Sequence, residues 1–338
     1  MDYADCLRRI QEYLEDSPLI VLGSGASASF GLPLMSDIRN EILSHHPVFS
    51  DKRYFVLLNN LQTMGLEEAI DQSDLPNDLG GRIREFVWDY INRHDIQLFK
   101  KLTADKTDFA MAELLQRVLM PTPNATTVIT TNYDRVAEYA ADIIGASIVT
   151  GFEGSLIRKM EFPNTRARNT RIRARERTVL ILKVHGSLDW FRNANGDIVS
   201  YPMTSEIPPG HDPLIIPPGK DKYSATHNDP FRGVMFQADE AFRQAGSFIC
   251  VGYGFNDEHV QPRLIEQIHV GKPIVALCYE ATDACRRNVM SSSVKKYVVI
   301  ERQDGDKTAV TSSAVTGKTE VYDANFWELS NFMKIVWG

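Results

Sequence analysis

Cysteine is scarce in this chain of 338 residues: Cys6, Cys250, Cys278 and Cys285 are the four present, and no two form a CxxC pair. That spacing excludes a disulfide framework or a zinc ribbon and leaves free, buried thiols as the expectation. Long apolar runs are missing too. Nothing approaches the roughly 20 residues a helix needs to cross a bilayer. The opening stretch MDYADCLRRIQEYLEDS is acidic and polar, unlike a secretory signal, so the expectation is a cytoplasmic protein with no membrane partner. There is no excess of cations either. A formal net charge of −7 argues against a chain built throughout to coat nucleic acid, although a local basic patch stays open and nucleic acid is left undecided as a partner. With 43% hydrophobic and 24% charged residues, the disordered and fibrous classes are excluded and a globular enzyme fits.

What is present reads as alternating strands and helices over a single domain, 1–338. Leu7, Ile10 and Leu14 sit at helical spacing in a lead-in helix over 4–15. Leu19-Ile20-Val21-Leu22 is a short apolar run bounded by glycine, the pattern of a strand buried on both faces of a parallel sheet. Residues 36–120 are mainly helical in pattern and are expected as an insertion between the first and second core strands, with Asp71–Gly81 as a loop inside it. Further strands are predicted at Thr127–Thr130, Ser147–Val149, Val179–Val184, Leu214–Ile216, Ser247–Val251 and Pro273–Leu277, with a closing helix over Asn325–Ile335. The fold class that follows is α/β, a doubly wound, mainly parallel Rossmann-like sheet with a helical insertion. Residues 158–177 carry Arg158, Lys159, Arg166, Arg168, Arg171, Arg173, Arg175 and Arg177 against Glu161 and Glu176, a basic hairpin or loop. It reads as a solvated strand edge, as a surface for nucleic acid or an acidic partner, or as a phosphate contact.

Four short motifs follow predicted strands. Gly23-Ser24-Gly25-Ala26-Ser27 lies between a strand and a helix, where backbone N–H groups can hold a diphosphate; glycines at a tight turn explain it equally well. Thr130-Thr131-Asn132-Tyr133-Asp134 places polar groups where ligands bind in doubly wound sheets, though Asn132 or Asp134 can instead cap the next helix. His185-Gly186 ends a strand, which makes the imidazole available as a general base near neutral pH, against a structural role. Gly252-Tyr253-Gly254-Phe255-Asn256-Asp257 permits another close backbone approach. Convergence of the four turns on one edge would make a nucleotide site.

With these blocks in place, the sequence resembles the sirtuin family. Gly23 to Ser27 followed by Gly31-Leu32-Pro33 is similar to the family's GAGxS…GIP loop, Thr130 to Asp134 to its TQNID, His185-Gly186 to its catalytic His-Gly, and Gly252-Tyr253-Gly254 to its later glycine-serine turn. The resemblance covers most of 18–280. It implies that Asn132 holds the nicotinamide ribose and a water, that His185 acts as base, and that Asp134 meets the carboxamide. It implies further that Ser24, Gly25 and Ala26, flanked by Gly23 and Ser27, line the diphosphate. Gly252 and Tyr253 would lie near the adenosine, and Thr131 and Gly254 join the residues expected to bind the cofactor.

Two departures matter. The paired CxxC zinc module of protein-deacylating sirtuins is missing, and Leu34-Met35-Ser36 replaces the acidic-aromatic-Arg run after GIP. The pattern resembles the divergent sirtuin-like branch of bacterial anti-phage systems, which depletes NAD. That branch implies an NAD+ hydrolase acting in abortive infection, with NAD as substrate and no metal, working as a homo-oligomer or with a partner such as a HerA-type ATPase. The alternatives are a regulatory subunit that binds NAD or ADP-ribose without turnover, and an NAD-dependent deacylase. A dinucleotide oxidoreductase is disfavoured, because no acidic residue sits convincingly at the end of a second strand about 20 residues beyond the first loop.

Overall fold

The computed structural model describes residues 3–15, 18–44, 47–105, 108–120, 125–161, 177–217, 219, 228–314 and 319–338. Helix α1 (Tyr3–Tyr13) leads into β1 (Leu19–Leu22), all four of whose residues are buried. Side chains alternate across a strand, so Ile20 and Leu22 enter one apolar core while Leu19 and Val21 enter a second core on the opposite face. Among the described residues, five α-helices and two short 3-10 turns, beyond a short turn of helix, separate β1 from β2 (Ala125–Thr130). The short turn of helix is α2 (Ser24–Ala28), and the five α-helices are α3 (Met35–Leu43), α4 (Phe55–Asn60), α5 (Leu66–Gln72), α6 (Asn77–Ala104) and α7 (Ala110–Val118). The expected loop over Asp71–Gly81 is much shorter, because α5 runs to Gln72 and α6 starts at Asn77. Pro76 precedes the first turn of α6, where its missing N–H costs nothing, so it starts a helix instead of breaking one.

After β2 come α8 (Val136–Ile143), β3 (Ser147–Val149), β4 (Phe152–Glu153), β5 (Arg158–Met160), β6 (Thr178–Lys183), β7 (Gly186–Asn193), β8 (Ile198–Ser200) and β9 (His211–Ile215). The chain then alternates α9 (Phe231–Gln244), β10 (Phe248–Val251), α10 (Gln261–His269), β11 (Ile274–Cys278) and α11 (Asp283–Asn288). It ends in β12 (Tyr297–Gln303), β13 (Lys307–Ser312), β14 (Thr319–Tyr322) and α12 (Leu329–Trp337).

These strands build two sheets. The larger has the order β14-β13-β12-β11-β10-β1-β2-β6-β3 and is parallel from β12 to β3, with β13 and β14 added antiparallel at one edge. The chain winds outward from β1 in both directions, to β2 on one side and later to β10 on the other. That reversal is the topological switch point at which α/β sheets open a crevice. The smaller sheet, β4-β5-β8-β7-β9, is antiparallel, and it takes in the strand expected at Leu214–Ile216. Three of its strands, β4, β5 and β8, have only two or three residues and could not stand out in the sequence. Of the basic stretch 158–177, Arg158 opens β5, while the cations between 162 and 176 lie outside the described residues. No helix among the described residues is long and apolar enough to cross a membrane.

A buried ion network ties α6 to the main sheet and the small one. Arg135, just before α8, places Nη1 2.6 Å from Asp95 Oδ2 on α6 and Nε 2.6 Å from Asp189 Oδ1 on β7. Its backbone N–H also donates to Asp95 Oδ1 at 2.8 Å, and the Tyr139 hydroxyl donates to Asp95 Oδ2. Nearby, Trp88 Nε1 donates to the Leu188 carbonyl of β7 at 3.0 Å and Asn92 Nδ2 to the Thr204 carbonyl at 2.8 Å, so the middle of α6 is tied to β7 and to the loop between β8 and β9. Removing one member of a buried pair strands the other charge in a dry site. Asp95→Ala is therefore expected to lower unfolding free energy by roughly 3–5 kcal/mol. Urea denaturation monitored by circular dichroism checks this, and a loss below 1 kcal/mol would rule out the network as the anchor.

Candidate active site

Four adjacent strands, β10, β1, β2 and β6, end on the same edge, and their following turns enclose a cavity of about 450 Å³. Gly23, Ser24, Ser27, Thr131, Asn132, Asp134, His185, Gly252, Tyr253 and Gly254 all line it. Gly25 and Ala26 are not among the lining residues. Their N–H groups donate inward, Gly25 to the Gly252 carbonyl at 3.2 Å and Ala26 to the Gly23 carbonyl at 3.0 Å.

The reason is a contact between two turns. A Cβ on Gly23 would stand 2.4 Å from the Gly252 carbonyl oxygen, one on Gly25 2.8 Å from Gly252 Cα, and one on Gly252 2.1 Å from the Ala26 nitrogen. Gly252 also has φ +56°, in the left-handed region. These glycines let the β1 and β10 turns press backbone against backbone. Their first duty is to close the wall of the cavity.

Asn132 is oriented by partners that leave no choice. Its Nδ2 donates to the Gly23 carbonyl at 2.9 Å and to Ser27 Oγ at 3.0 Å, and a carbonyl oxygen can only accept, so the amide nitrogen must face that way. The acceptor Oδ1 is then the end of the side chain left for a ligand. Ser27 relays onward by donating to the Asp134 carboxylate. Asp134 Oδ1 accepts from the Val136 N–H at 3.1 Å, so this residue engages the first N–H of α8 as well as lining the cavity.

His185 occupies the two-residue link from β6 to β7, where the chain passes from one sheet to the other. The Ile216 N–H donates to its carbonyl at 2.9 Å, and Gly186, at φ +92°, follows so closely against β9 that a Cβ would lie 2.1 Å from the Leu214 carbonyl oxygen. The imidazole Nε2 lies 2.7 Å from Asp257 Oδ2, within ion-pair distance though off the line of a ring N–H, and both side chains are buried. Asp257 was part of the fourth motif but was not singled out by sequence reading, because it lies on a loop five residues beyond Gly252. Asn256 and Tyr133 join the lining from the same two motifs.

The helical segment closes the remaining side. Leu66, Glu67 and Glu68 of α5, Ile91 of α6, and Leu32, Pro33 and Met35 reach the cavity. Nothing in the periodicity of α5 could have located it there. The lining thus carries four carboxylates, Glu67, Glu68, Asp134 and Asp257, with one imidazole and no Lys or Arg among the described residues. Tyr253 contributes a buried hydroxyl without a hydrogen-bond partner among the described residues, and burial raises its phenol well above the usual value. Among the described residues no cluster of three His, Cys, Asp or Glu side chains is arranged to hold a metal ion.

The cavity thus lies at the switch point of a doubly wound sheet, the place where ligands bind in such folds, walled by glycine turns and holding an amide and an imidazole. Residues 126–273, which span β2 to the start of β11 and so three of the four turns, match the family described as the SIR2-like domain. Among solved structures the chain is similar to one reported under the structural basis for the mechanism and regulation of Sir2 enzymes. Identity there is 16%, with 88% of this chain and 92% of that one covered and a TM-score of 0.45. A Sir2 homolog–NAD complex aligns at 15% identity over 88% of each chain, TM-score 0.42, and a Sir2 bound to acetylated peptide at 12% over 82% and 88%, TM-score 0.41. No curated protein matches the chain.

Burial pushes the Asp134 carboxyl up to about 6 from 3.8, opposed by Lys183, by Ser27 and by the Val136 N–H, and reinforced by Asp95. Because the folded-state value lies above the unfolded one, the native chain holds the extra proton between about pH 4 and 6, and stability from this group falls as pH rises through that window. Asp134→Asn keeps an acceptor for Val136 and removes the charge. It is expected to stabilise the protein at pH 8 by roughly 1–3 kcal/mol, a gain that shrinks through pH 6 and vanishes near pH 4. Denaturant melts across that range are the measurement; a gain that grows on acidification contradicts the assignment.

Proposed function

We propose that this chain is an NAD+ glycohydrolase that cleaves the nicotinamide–ribose bond to give nicotinamide and ADP-ribose. The observation that carries the reading is the meeting of Asn132 and His185 in one cavity, with the acceptor end of the asparagine left for a ligand by its bonds to Gly23 and Ser27. Nicotinamide is cationic in NAD and departs readily, so the bond breaks through a ribose with oxocarbenium character and needs little acid help. The protein must supply orientation, a placed water and a proton acceptor. Asn132 Oδ1 holds a ribose hydroxyl or the water, and the imidazole of His185 takes the proton. Water then adds to the anomeric carbon as nicotinamide leaves, and ADP-ribose and one proton are released. Carboxylates around the cavity suit a sugar that gains positive charge in the transition state.

A deacylase reading draws no support from the cysteine pattern, since four cysteines without a CxxC pair leave the paired-cysteine module of that class unmatched. The biological setting that fits unrestrained NAD loss is abortive infection in anti-phage defence. There the chain would rest inactive until assembly into an oligomer or contact with a second protein, such as a HerA-type ATPase, released it.

Incubating the purified chain with NAD, with and without an acylated peptide, tests this by chromatography of nicotinamide. Nicotinamide should appear without peptide. Asn132→Ala should lower its rate by at least about 100-fold with the melting temperature retained, and His185→Ala by a similar factor. Full activity in Asn132→Ala rejects the assignment. Bound but uncleaved NAD in every condition would favour the regulatory, non-catalytic reading.

A further inference from the structure

We propose that Lys183 is a positioning residue of the cavity, whose buried ammonium group clamps the turn carrying Asn132 and Asp134 to the end of the strand that leads to His185. The consequence for turnover rests on the hydrolase reading above; the clamp itself does not.

Lys183 breaks the pattern of its own strand. All six residues of β6 are buried, and Val179 and Ile181 enter the first apolar core while Leu180 and Leu182 enter the second. Alternation puts Lys183 on the same face as Val179 and Ile181, where an apolar side chain would be expected. Its exposure is 0%, and a charge taken so far from water is tolerated only where it is paired and hydrogen-bonded. Both conditions are met. Nζ donates to the Asp134 carbonyl and, at 2.9 Å, to Glu138 Oε1 on α8. An apolar residue would fill the place without the desolvation penalty, so the exception points to a task beyond packing.

The task follows from where sheet pairing stops. Strands β2 and β6 are in register up to Thr130 opposite Lys183, and the Val184 N–H then donates to the Thr130 carbonyl at 3.0 Å. Beyond Thr130 the chain turns away from β2, and its residues are held one at a time. Thr130 Oγ1 accepts from the Asn132 N–H at 3.0 Å, the Tyr133 carbonyl from the Leu188 N–H at 3.0 Å, and the Asp134 carbonyl from Lys183. Since Lys183 stands two residues before His185, one side chain ties the far end of the amide-bearing turn to the root of the imidazole.

The same ammonium supports the charge of a carboxylate that lines the cavity. Burial pushes the Asp134 carboxyl up to about 6, and Lys183 from β6 opposes this, together with the Ser27 hydroxyl and the Val136 N–H, while Asp95 from α6 adds to it. His185, Asp257, Glu67 and Glu68 line the same cavity. Without the ammonium, Asp134 holds its proton to higher pH. Loosened packing alone would do the opposite, because water reaching the carboxyl favours its charged form.

Lys183→Met is the informative change, since Met keeps an unbranched stem and drops the ammonium. That variant strands the Glu138 carboxylate, so it is paired with Lys183→Met/Glu138→Gln, in which neither charge of the pair is left alone. In 13C-carboxyl spectra of the full chain without ligand, the Asp134 signal is identified by its loss in Asp134→Asn. Its midpoint in both variants should lie at least about 1 pH unit above that of the wild type. Nicotinamide release should fall about 10- to 100-fold in kcat. In the folded wild type, Lys183 should resist acylation by an amine reagent that labels the exposed Lys100.

An Asp134 midpoint that stays in place or falls in a folded variant overturns the proposal, as does a kcat within about threefold of the wild type. Labelling of Lys183 as fast as Lys100 overturns it whether or not either variant folds. If Lys183 is protected and the midpoint rises, but the wild type releases no nicotinamide under any condition, the hydrolase reading fails and the clamp stands.

Discussion

The constraint on which the rest depends is the backbone contact between the turns after β1 and β10. Because Gly23, Gly25 and Gly252 lack side chains, the two turns meet at distances no Cβ would tolerate, and each is then held to a working position. From the first turn, the Gly23 carbonyl fixes Asn132; from the second, the loop running to Asp257 reaches His185. Separating the turns would loosen both ends of the site at once. Glycines of a strand-to-helix turn are usually credited to the ligand, yet here their nearest neighbours are each other.

A second constraint is the place of His185 between the sheets. Two residues, Val184 and His185, carry the chain out of the parallel sheet, and both are held by backbone bonds: Val184 N–H to the Thr130 carbonyl at 3.0 Å, and the His185 carbonyl by Ile216 N–H. A histidine so anchored cannot drift with loop motion. The small antiparallel sheet therefore serves the site by gripping the outgoing chain. The Arg135 network carries the same rigidity to α6, whose neighbour α5 forms the acidic side of the cavity.

The parallel core was legible because buried strands such as Leu19–Leu22 and Phe248–Val251 are unbroken apolar runs that stop at glycine. The turns were legible for the same reason, and eight of the ten residues assigned to binding, with Asn132 and His185, do face one cavity. Gly25 and Ala26 stand apart because a glycine motif does not say which side its backbone turns to. The second sheet was read only at β9: β4, β5 and β8 have two or three residues each, too few for an alternation to register, and the eight-residue β7 went unread as well. Asp257 went unread for another reason. A carboxylate on a loop gains meaning from the ring across the cavity, and that pairing spans 72 positions of sequence between His185 and Asp257.

The charge of the cavity bears on how the proposed reaction would be restrained. NAD brings a diphosphate that repels carboxylates and a pyridinium that attracts them, so the acidic lining favours the reacting end of the molecule and opposes its middle. Glu67 and Glu68 belong to α5, and neither belongs to the strand-end turns that supply Asn132 and His185. Any displacement of that helix would change the electrostatic cost of the diphosphate while leaving the amide, the imidazole and Asp257 where they are. The groups that would orient the proposed chemistry and the carboxylates that oppose a diphosphate are thus carried by different segments of the chain.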